Sequence, residues 1–307
     1  MDRRRFLKRA AIGTGLGLTG FFPYKALASN PELTYITILH TNDLHSRIEA
    51  FPPGSGENSG RGGFARRSSM VNQIRSENEH ILLLDAGDIL QGTPYFNMFG
   101  GEIEFKLMTK MGYDAATIGN HEFDAGIDGL LKQWPHIGFP FVISNYDFSD
   151  TALAGKTKEH LIIKKGSVKI GLLGLGIELE GLVPPALFGN TRYLDPLPIA
   201  NEVAGRLKQD KGCDFVICLS HLGFKYETDK VSDVVVARNS SDIDLIIGGH
   251  THTFLPEPVI ENNAKGEPVL INQVGRNGTM LGRIDLLFEK NRPGKCIHCE
   301  NLLVGKS

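Results

Sequence analysis

Cysteine is scarce in this sequence, with four residues in 307. Cys213 and Cys218 flank or sit in an apolar stretch and read as small buried side chains. Cys296-Ile297-His298-Cys299 is a C-x-x-C with no second pair at zinc-ribbon spacing, so a zinc scaffold built on cysteine is excluded. It is expected in a late turn or strand edge, its thiols pairing in an oxidising compartment; a half metal site or redox motif is the alternative. Charge of one sign is lacking too. The formal net charge is −2, which gives no general electrostatic pull toward nucleic acid or an acidic membrane. Beyond the N-terminus no run approaches transmembrane length. Internal repeats are absent, and low complexity is confined to the Pro- and Gly-rich loop at 51–63.

What is present fits one well-packed domain. Hydrophobic residues make up 41% and charged residues 22%, enough to bury a full core. Glycine is plentiful at 36 residues, which points to many tight loops. The first residues form a different kind of segment. Arg3-Arg4-Arg5-Phe6-Leu7-Lys8 precedes an uncharged, Gly-rich stretch at 10–22 and then Ala26-Leu27-Ala28. That is a charged region, an apolar region and a small-x-small cleavage site. It resembles a twin-arginine export signal, with Asp2 where Ser or Thr is common. The resemblance implies that residues 1–28 are removed and that 29–307 form a single domain. It also implies a periplasmic or extracytoplasmic location with no membrane attachment after cleavage; an uncleaved anchor is the competing reading.

The rest of the chain alternates short apolar runs with polar clusters. A strand over 33–39 leads into His40-Thr41-Asn42-Asp43-Leu44-His45. Asp43 and His45 are two apart, so in extended geometry they share a face and can grip one ion. The spacing predicts a helix over 62–77. The continuous run 81–84 predicts a strand buried on both faces, followed at once by Asp85-Ala86-Gly87-Asp88. A helix over 102–111 is closed by Gly112. A strand over 115–118 then delivers Gly119-Asn120-His121-Glu122-Phe123-Asp124, and a turn at 125–129 opens a helix. Further strands are expected at 139–144, 160–163, 168–174, 215–219, 243–247, 259–260, 269–273 and 280–288, with an amphipathic helix over 198–210. Ser220-His221 follows one of these strands and Gly249-His250-Thr251-His252 another. Five polar clusters thus fall directly after strand-like runs, where open α/β sheets hold ligands.

Taken singly, each member has an ordinary explanation. Asp88 could cap a helix, Asp43 brace its loop, Asn120 hold a left-handed turn, and a lone histidine be a hydrogen-bonded core residue. Those explanations fail jointly, because the clusters share one position in the strand-loop-helix pattern. Asp43, His45, Asp88, Asn120, His121, Asp124, His221, His250 and His252 make a nitrogen and oxygen set without thiolate. Such a set suits zinc, manganese, iron or a similar divalent ion. Two ions about 3.5–4 Å apart need roughly four protein ligands each, with one carboxylate shared, and such a pair activates water and clamps a phosphate. His40, His80, His136, His160 and His298 are read as structural or solvated.

Asp43-x-His45, Gly87-Asp88, Gly119-Asn120-His121-Glu122, Ser220-His221 and Gly249-His250-Thr251-His252 resemble, in order, the five blocks of the calcineurin-like metallophosphatases. Gly62-Gly63-Phe64-Ala65-Arg66 and Gly87-Asp88-Ile89-Leu90-Gln91-Gly92-Thr93-Pro94, with the stretch from His40 to His45, narrow the likeness to the N-terminal catalytic domain of the 5′-nucleotidase / UDP-sugar hydrolase branch. The resemblance runs from about residue 34 onward. It implies an α/β fold, a four-layer αββα sandwich of two mixed β-sheets flanked by helices. It implies one metal on Asp43, His45, Asp88 and His252 and another on Asp88, Asn120, His221 and His250, with Asp88 bridging. His121, steadied by Asp124, would stand beyond the metals and assist the departing alkoxide. Adjacent side chains diverge, so with Asn120 facing the ions His121 should face elsewhere, and a carboxylate three residues on can fix its tautomer.

The implied reaction is hydrolysis of phosphate monoesters, 5′-nucleotides first among them, by a hydroxide bridging the metals and without a covalent phospho-enzyme. Alternatives on the same metal pair are a cyclic-nucleotide phosphodiesterase, a UDP-sugar pyrophosphatase and a thiosulfohydrolase. A non-catalytic scaffold would be expected to have lost ligands, and none is missing. Many secreted members of the branch carry a second, C-terminal domain that stacks the base and supplies arginines. The sequence read here has no segment for it. The expectation is therefore either weak recognition of the leaving group or a separate nucleotidase C-terminal-like chain that completes the pocket. The partner is a small phosphate ester, not a nucleic acid polymer.

Overall fold

The structure is a computed structural model that describes residues 32–289 and 294–305; the export signal read at 1–28 lies outside them. In chain order, β1 (Leu33–Thr41) leads to α1 (Phe64–Glu77), β2 (Ile81–Asp85), α2 (Pro94–Phe99) and α3 (Glu102–Met111). Then come β3 (Ala115–Ala116), α4 (Gly126–Gln133), β4 (Tyr146–Asp147), β5 (His160–Lys165) and β6 (Val168–Leu175). α5 (Pro185–Phe188), β7 (Arg192–Tyr193), α6 (Pro196–Gly205), β8 (Phe215–Ser220) and α7 (Asp233–Asn239) follow. The remaining strands are β9 (Leu245–Gly248), β10 (Val259–Asn262), β11 (Pro268–Asn272), β12 (Met280–Glu289) and β13 (Lys295–Leu303).

Two sheets carry the molecule. One has the order β13-β12-β1-β2-β3, the other β10-β11-β9-β8-β6-β5, and β4 pairs with β7 apart from both. Each large sheet is mixed: β1 runs antiparallel to β12 and parallel to β2, and β6 runs antiparallel to β5 and parallel to β8. The layers follow from the two-residue alternation of strand side chains. Ile36, Ile38, Leu82 and Leu84 of the first sheet meet Ile170, Leu172, Ile217 and Leu219 of the second in one buried cluster. Leu39 and Leu83, pointing the other way, pack on Val71, Ile74, Phe105 and Met108 from α1 and α3. On the outer face of the second sheet, Leu173, Val216 and Cys218 pack on Ala200, Val203 and Val236 from α6 and α7. Helix, sheet, sheet, helix is the expected four-layer αββα sandwich.

Some local expectations change. The stretch 139–144 makes only isolated bridges, Ala116 with Phe141 and Val142 with Lys158; Pro140 has no N–H to continue a ladder. The strand expected over 115–118 is laddered only at Ala115 and Ala116. Cys296 and Cys299 form a disulfide within β13, at a sheet edge, whereas Cys213 and Cys218 are buried free thiols.

Candidate metal centre

β1, β2 and β3 of one sheet and β8 and β9 of the other all deliver their C-terminal ends to the same place. The turns after β1 and β2 are laced together by backbone bonds. The N–H groups of Asp43, His45 and Ser46 donate to the carbonyls of Gly87, Asp88 and Ile89 at 2.9, 3.0 and 2.9 Å. Within these turns Asp43 (φ 50°), His45 (46°) and Asp88 (56°) are left-handed, as are His250 (71°) and His252 (52°) in the turn after β9. Asp43 and His45 are therefore not extended neighbours sharing a strand face; the curl of the turn aims both side chains inward. Asn120 is right-handed instead, with φ −74°. A left-handed conformation costs a non-glycine residue about 1–2 kcal/mol, and such strain gathers where function demands it.

Close approach explains two glycines here. A Cβ on Gly119 would lie 2.2 Å from Asp88 Oδ1 and 2.8 Å from His221 Nε2. One on Gly249 would lie 2.8 Å from His221 Nδ1 and 3.2 Å from Asp43 Oδ2. Beneath the cluster, the buried Glu122 carboxylate accepts from the N–H groups of Gly119, Asp88 and Ile89 at 2.6, 3.0 and 2.7 Å. Asp85 accepts from Thr41 Oγ1 at 2.6 Å and from the Gly87 N–H at 2.9 Å. Burial pushes Asp85 up to about 8, and burial with the nearby Asp88 charge pushes Glu122 up to about 7. Both residues stand within the sequence motifs, yet sequence reasoning gives neither a role. Their signal was present, since a carboxylate in a glycine-bearing turn directly after a buried strand needs backbone donors.

The ligand atoms converge in two groups that share one residue. Asp43, His45, Asp88 and His252 place donor atoms within 4.8 Å of one another, and Asp88, His221 and His250 do the same. Asn120 Oδ1 joins the second group 2.9 Å from His250 Nδ1. His45 Nε2 and His252 Nε2 stand 2.8 Å apart, and both face Asp43 Oδ1, at 3.9 and 3.4 Å. His221 Nδ1 donates to the Ala86 carbonyl at 2.7 Å, which fixes the tautomer. Its Nε2 is buried, makes no hydrogen bond and stands 3.1 Å from Asp88 Oδ2. An orphaned imidazole nitrogen against a carboxylate, in a set of N and O donors, fits a divalent cation.

Electrostatics run the same way. Burial works against charge on Asp88, yet His221, His121 and His45 together hold its carboxyl well below the usual range. Burial also opposes charge on His221, but Asp88 raises it to about 10. Burial lowers His45, and burial with the His221 charge lowers His250 to about 4, so both present neutral rings. His121 differs in place as in chemistry. Its N–H bonds Asp88 Oδ1 at 2.9 Å, but its ring turns away and pairs through Nδ1 with Asp124 Oδ2 at 2.7 Å. Burial disfavours the His121 cation, and the Asp124 hydrogen bond overcomes this, lifting it to about 9.

The histidines set aside do lie elsewhere. His40 is buried against Asn272, 2.9 Å from its Nδ2, while His160 and His298 pair with Glu159 and Glu300 near the surface.

Comparison with known proteins points one way. A family model described as calcineurin-like phosphoesterase matches residues 36–254. A snake venom 5′-nucleotidase of Crotalus adamanteus is 33% identical over 276 residues, covering 83% of this chain and 45% of that protein. The crystal structure of a 5′-nucleotidase precursor from Thermus thermophilus has TM-score 0.78 at 30% identity, covering 88% of this chain and 54% of that one. The Haemophilus influenzae NAD nucleotidase structure has TM-score 0.77 at 29% identity, covering 87% of this chain and 50% of that one. The chain spans about half the length of the curated relatives it matches.

Proposed function

The chain belongs to the calcineurin-like phosphoesterase family, and from that premise we propose that it hydrolyses phosphate monoesters, 5′-nucleotides first among them. On this reading one divalent cation is held by Asp43, His45, Asp88 and His252, and a second by Asp88, Asn120, His221 and His250. The observation that carries it is the sharing of Asp88 by two ligand clusters. Two ions held there would supply a water of lowered pKa and charge to neutralise phosphate oxygens. The chain's own residues do the rest. Ala86 accepts the His221 proton on Nδ1, so Nε2, beside Asp88, is the nitrogen left for a cation. Glu122 ties the Asp88 turn to Gly119, so the bridging carboxylate and Asn120 keep their spacing. With Nδ1 bonded to Asp124, His121 offers its Nε2 proton to the departing ester oxygen as general acid.

A substrate panel tests the reading. The full chain loaded with manganese(II) is assayed on AMP, UDP-glucose, 2′,3′-cyclic AMP and bis-p-nitrophenyl phosphate. AMP should give inorganic phosphate with the highest kcat/KM. Cleavage of a diester or of UDP-glucose with AMP untouched would replace the monoesterase reading. Export by the twin-arginine route to the periplasm, with loss of residues 1–28 and 29–307 acting as one catalytic domain, belongs to the same proposal. It is supported by the sequence from Arg3 to Lys8. Among the described residues no helix is long and apolar enough to cross a membrane. Arg3→Lys with Arg4→Lys should leave the protein in the cytoplasmic fraction; unchanged export would remove the twin-arginine assignment.

A further inference from the structure

Arg276 stands at the rim of the metal cluster on a loop that is pinned to the ligand-bearing turns on both sides. The Gly275 N–H donates to the Thr253 carbonyl at 3.0 Å, and the Gly275 carbonyl accepts from Asn42 Nδ2 at 2.7 Å. On the other side the Asn277 N–H donates to the Asp43 carbonyl at 2.7 Å. Gly275 (φ 72°) and Asn277 (φ 61°) are both left-handed, so the loop is tightly curled around this one residue. The Arg276 backbone is thereby fixed relative to Asp43, while its side chain is exposed. Among the described residues no carboxylate pairs with its guanidinium; its polar neighbour is His252 Nδ1, 3.4 Å from Nη1. Lys230, a cation that acts on His250 from another side, lies over the Tyr226 ring at 4.9 Å and so already has a partner.

The contact with His252 and ligation by His252 exclude each other. His252 Nε2 points into the cluster, toward Asp43 and His45. A neutral imidazole that gives its Nε2 lone pair to a cation carries its proton on Nδ1. Nδ1–H then meets a guanidinium that has only donors and no acceptor. Donor faces donor, and Arg276 must leave Nδ1. Its backbone anchors hold it at the rim, where the negative charge left to meet is that of a bound anion. A guanidinium fork matches two phosphate oxygens. We propose that Arg276 is a substrate-recognition residue of this site, turning from His252 to grip the phosphate oxygens of substrate and product. This rests on the phosphoesterase reading above.

The test is calorimetric titration of inorganic phosphate into the manganese(II)-loaded full chain, comparing wild type, Arg276→Ala and Arg276→Lys, with metal counted by elemental analysis. The Ala variant should keep its metal and bind phosphate roughly tenfold more weakly or worse, the Lys variant recovering part of the loss. With AMP, KM should rise by a larger factor than kcat falls. A loss of less than about tenfold with metal intact overturns the proposal. So does loss of metal from the Ala variant, which would make Arg276 a support of the cluster, or failure of the wild type to bind phosphate. If Arg276→Ala loses phosphate that the wild type binds, yet the wild type hydrolyses no ester on the panel, the recognition role is upheld and the hydrolase reading alone fails.

Discussion

At the scale of single residues, His121 and His40 show one residue type put to opposite uses by its surroundings. His121 is half-exposed and held by Asp124, so it keeps a proton, the one the proposed reaction gives to the ester oxygen. His121→Ala should retain metal and lose roughly 100-fold or more in turnover on AMP, but much less on p-nitrophenyl phosphate, whose leaving group needs little protonation. Equal losses on both esters, or loss of metal, would make His121 a ligand or a structural residue. His40 is fully buried, and burial lowers it to about 3 from an ordinary 6.5. Below pH 6.5 the unfolded chain binds a proton there that the folded chain refuses, so the His40 contribution is complete above 6.5 and drains away toward 3. His40→Asn should destabilise at pH 7.5, and the gap to wild type should narrow by up to about 1.4 kcal/mol per pH unit as pH falls below 6.5. Denaturant titrations at pH 7.5 and 5 check this; a constant gap would contradict it.

Elements explain what could be read ahead and what could not. α3 was legible to the residue, because its apolar spacing is regular and Gly112, at φ 73°, closes it. α7 was not: Asp233-Val234-Val235-Val236 has the β-branched composition of a strand. It is helical because Ser232 caps it and because Val234, Val236 and Ala237 bury themselves against the second sheet. The metal turns fall between these cases. Their side chains were readable from residue type and position after strands, but the left-handed backbone that aims Asp43 and His45 depends on bonds to the β2 turn, 44 residues away for the Asp43–Gly87 pair (87 − 43). Gly119 belongs to that geometry. Gly119→Ala should push Asp88 aside and drop bound metal below wild-type content, while Gly205→Ala on α6, where a Cβ would make only ordinary contacts at 3.8 and 3.9 Å, should leave metal unchanged. Full metal content in Gly119→Ala would show that the Asp88 turn can yield.

For the molecule as a whole, the candidate centre is assembled only because two sheets pack face to face. Asp43, His45, Asp88 and Asn120 follow strands of one sheet, and His221, His250 and His252 follow strands of the other. The spacing between these ligand sets is therefore set by the apolar layer of Ile38, Leu84, Leu172 and Leu219 that separates the sheets. Pairing such as Thr37 with Asp285, across most of the chain, leaves no trace in local periodicity. The family likeness carried that part of the fold, and the residues alone would have given only strands ending in ligands.

The most direct measurement is an anomalous difference map from crystals grown with manganese(II). Two peaks about 3.5–4 Å apart are predicted, both touching the Asp88 carboxylate, one among Asp43, His45 and His252 and the other among Asn120, His221 and His250. A single peak, or two peaks too far apart for one carboxylate to reach both, would contradict the shared-carboxylate centre.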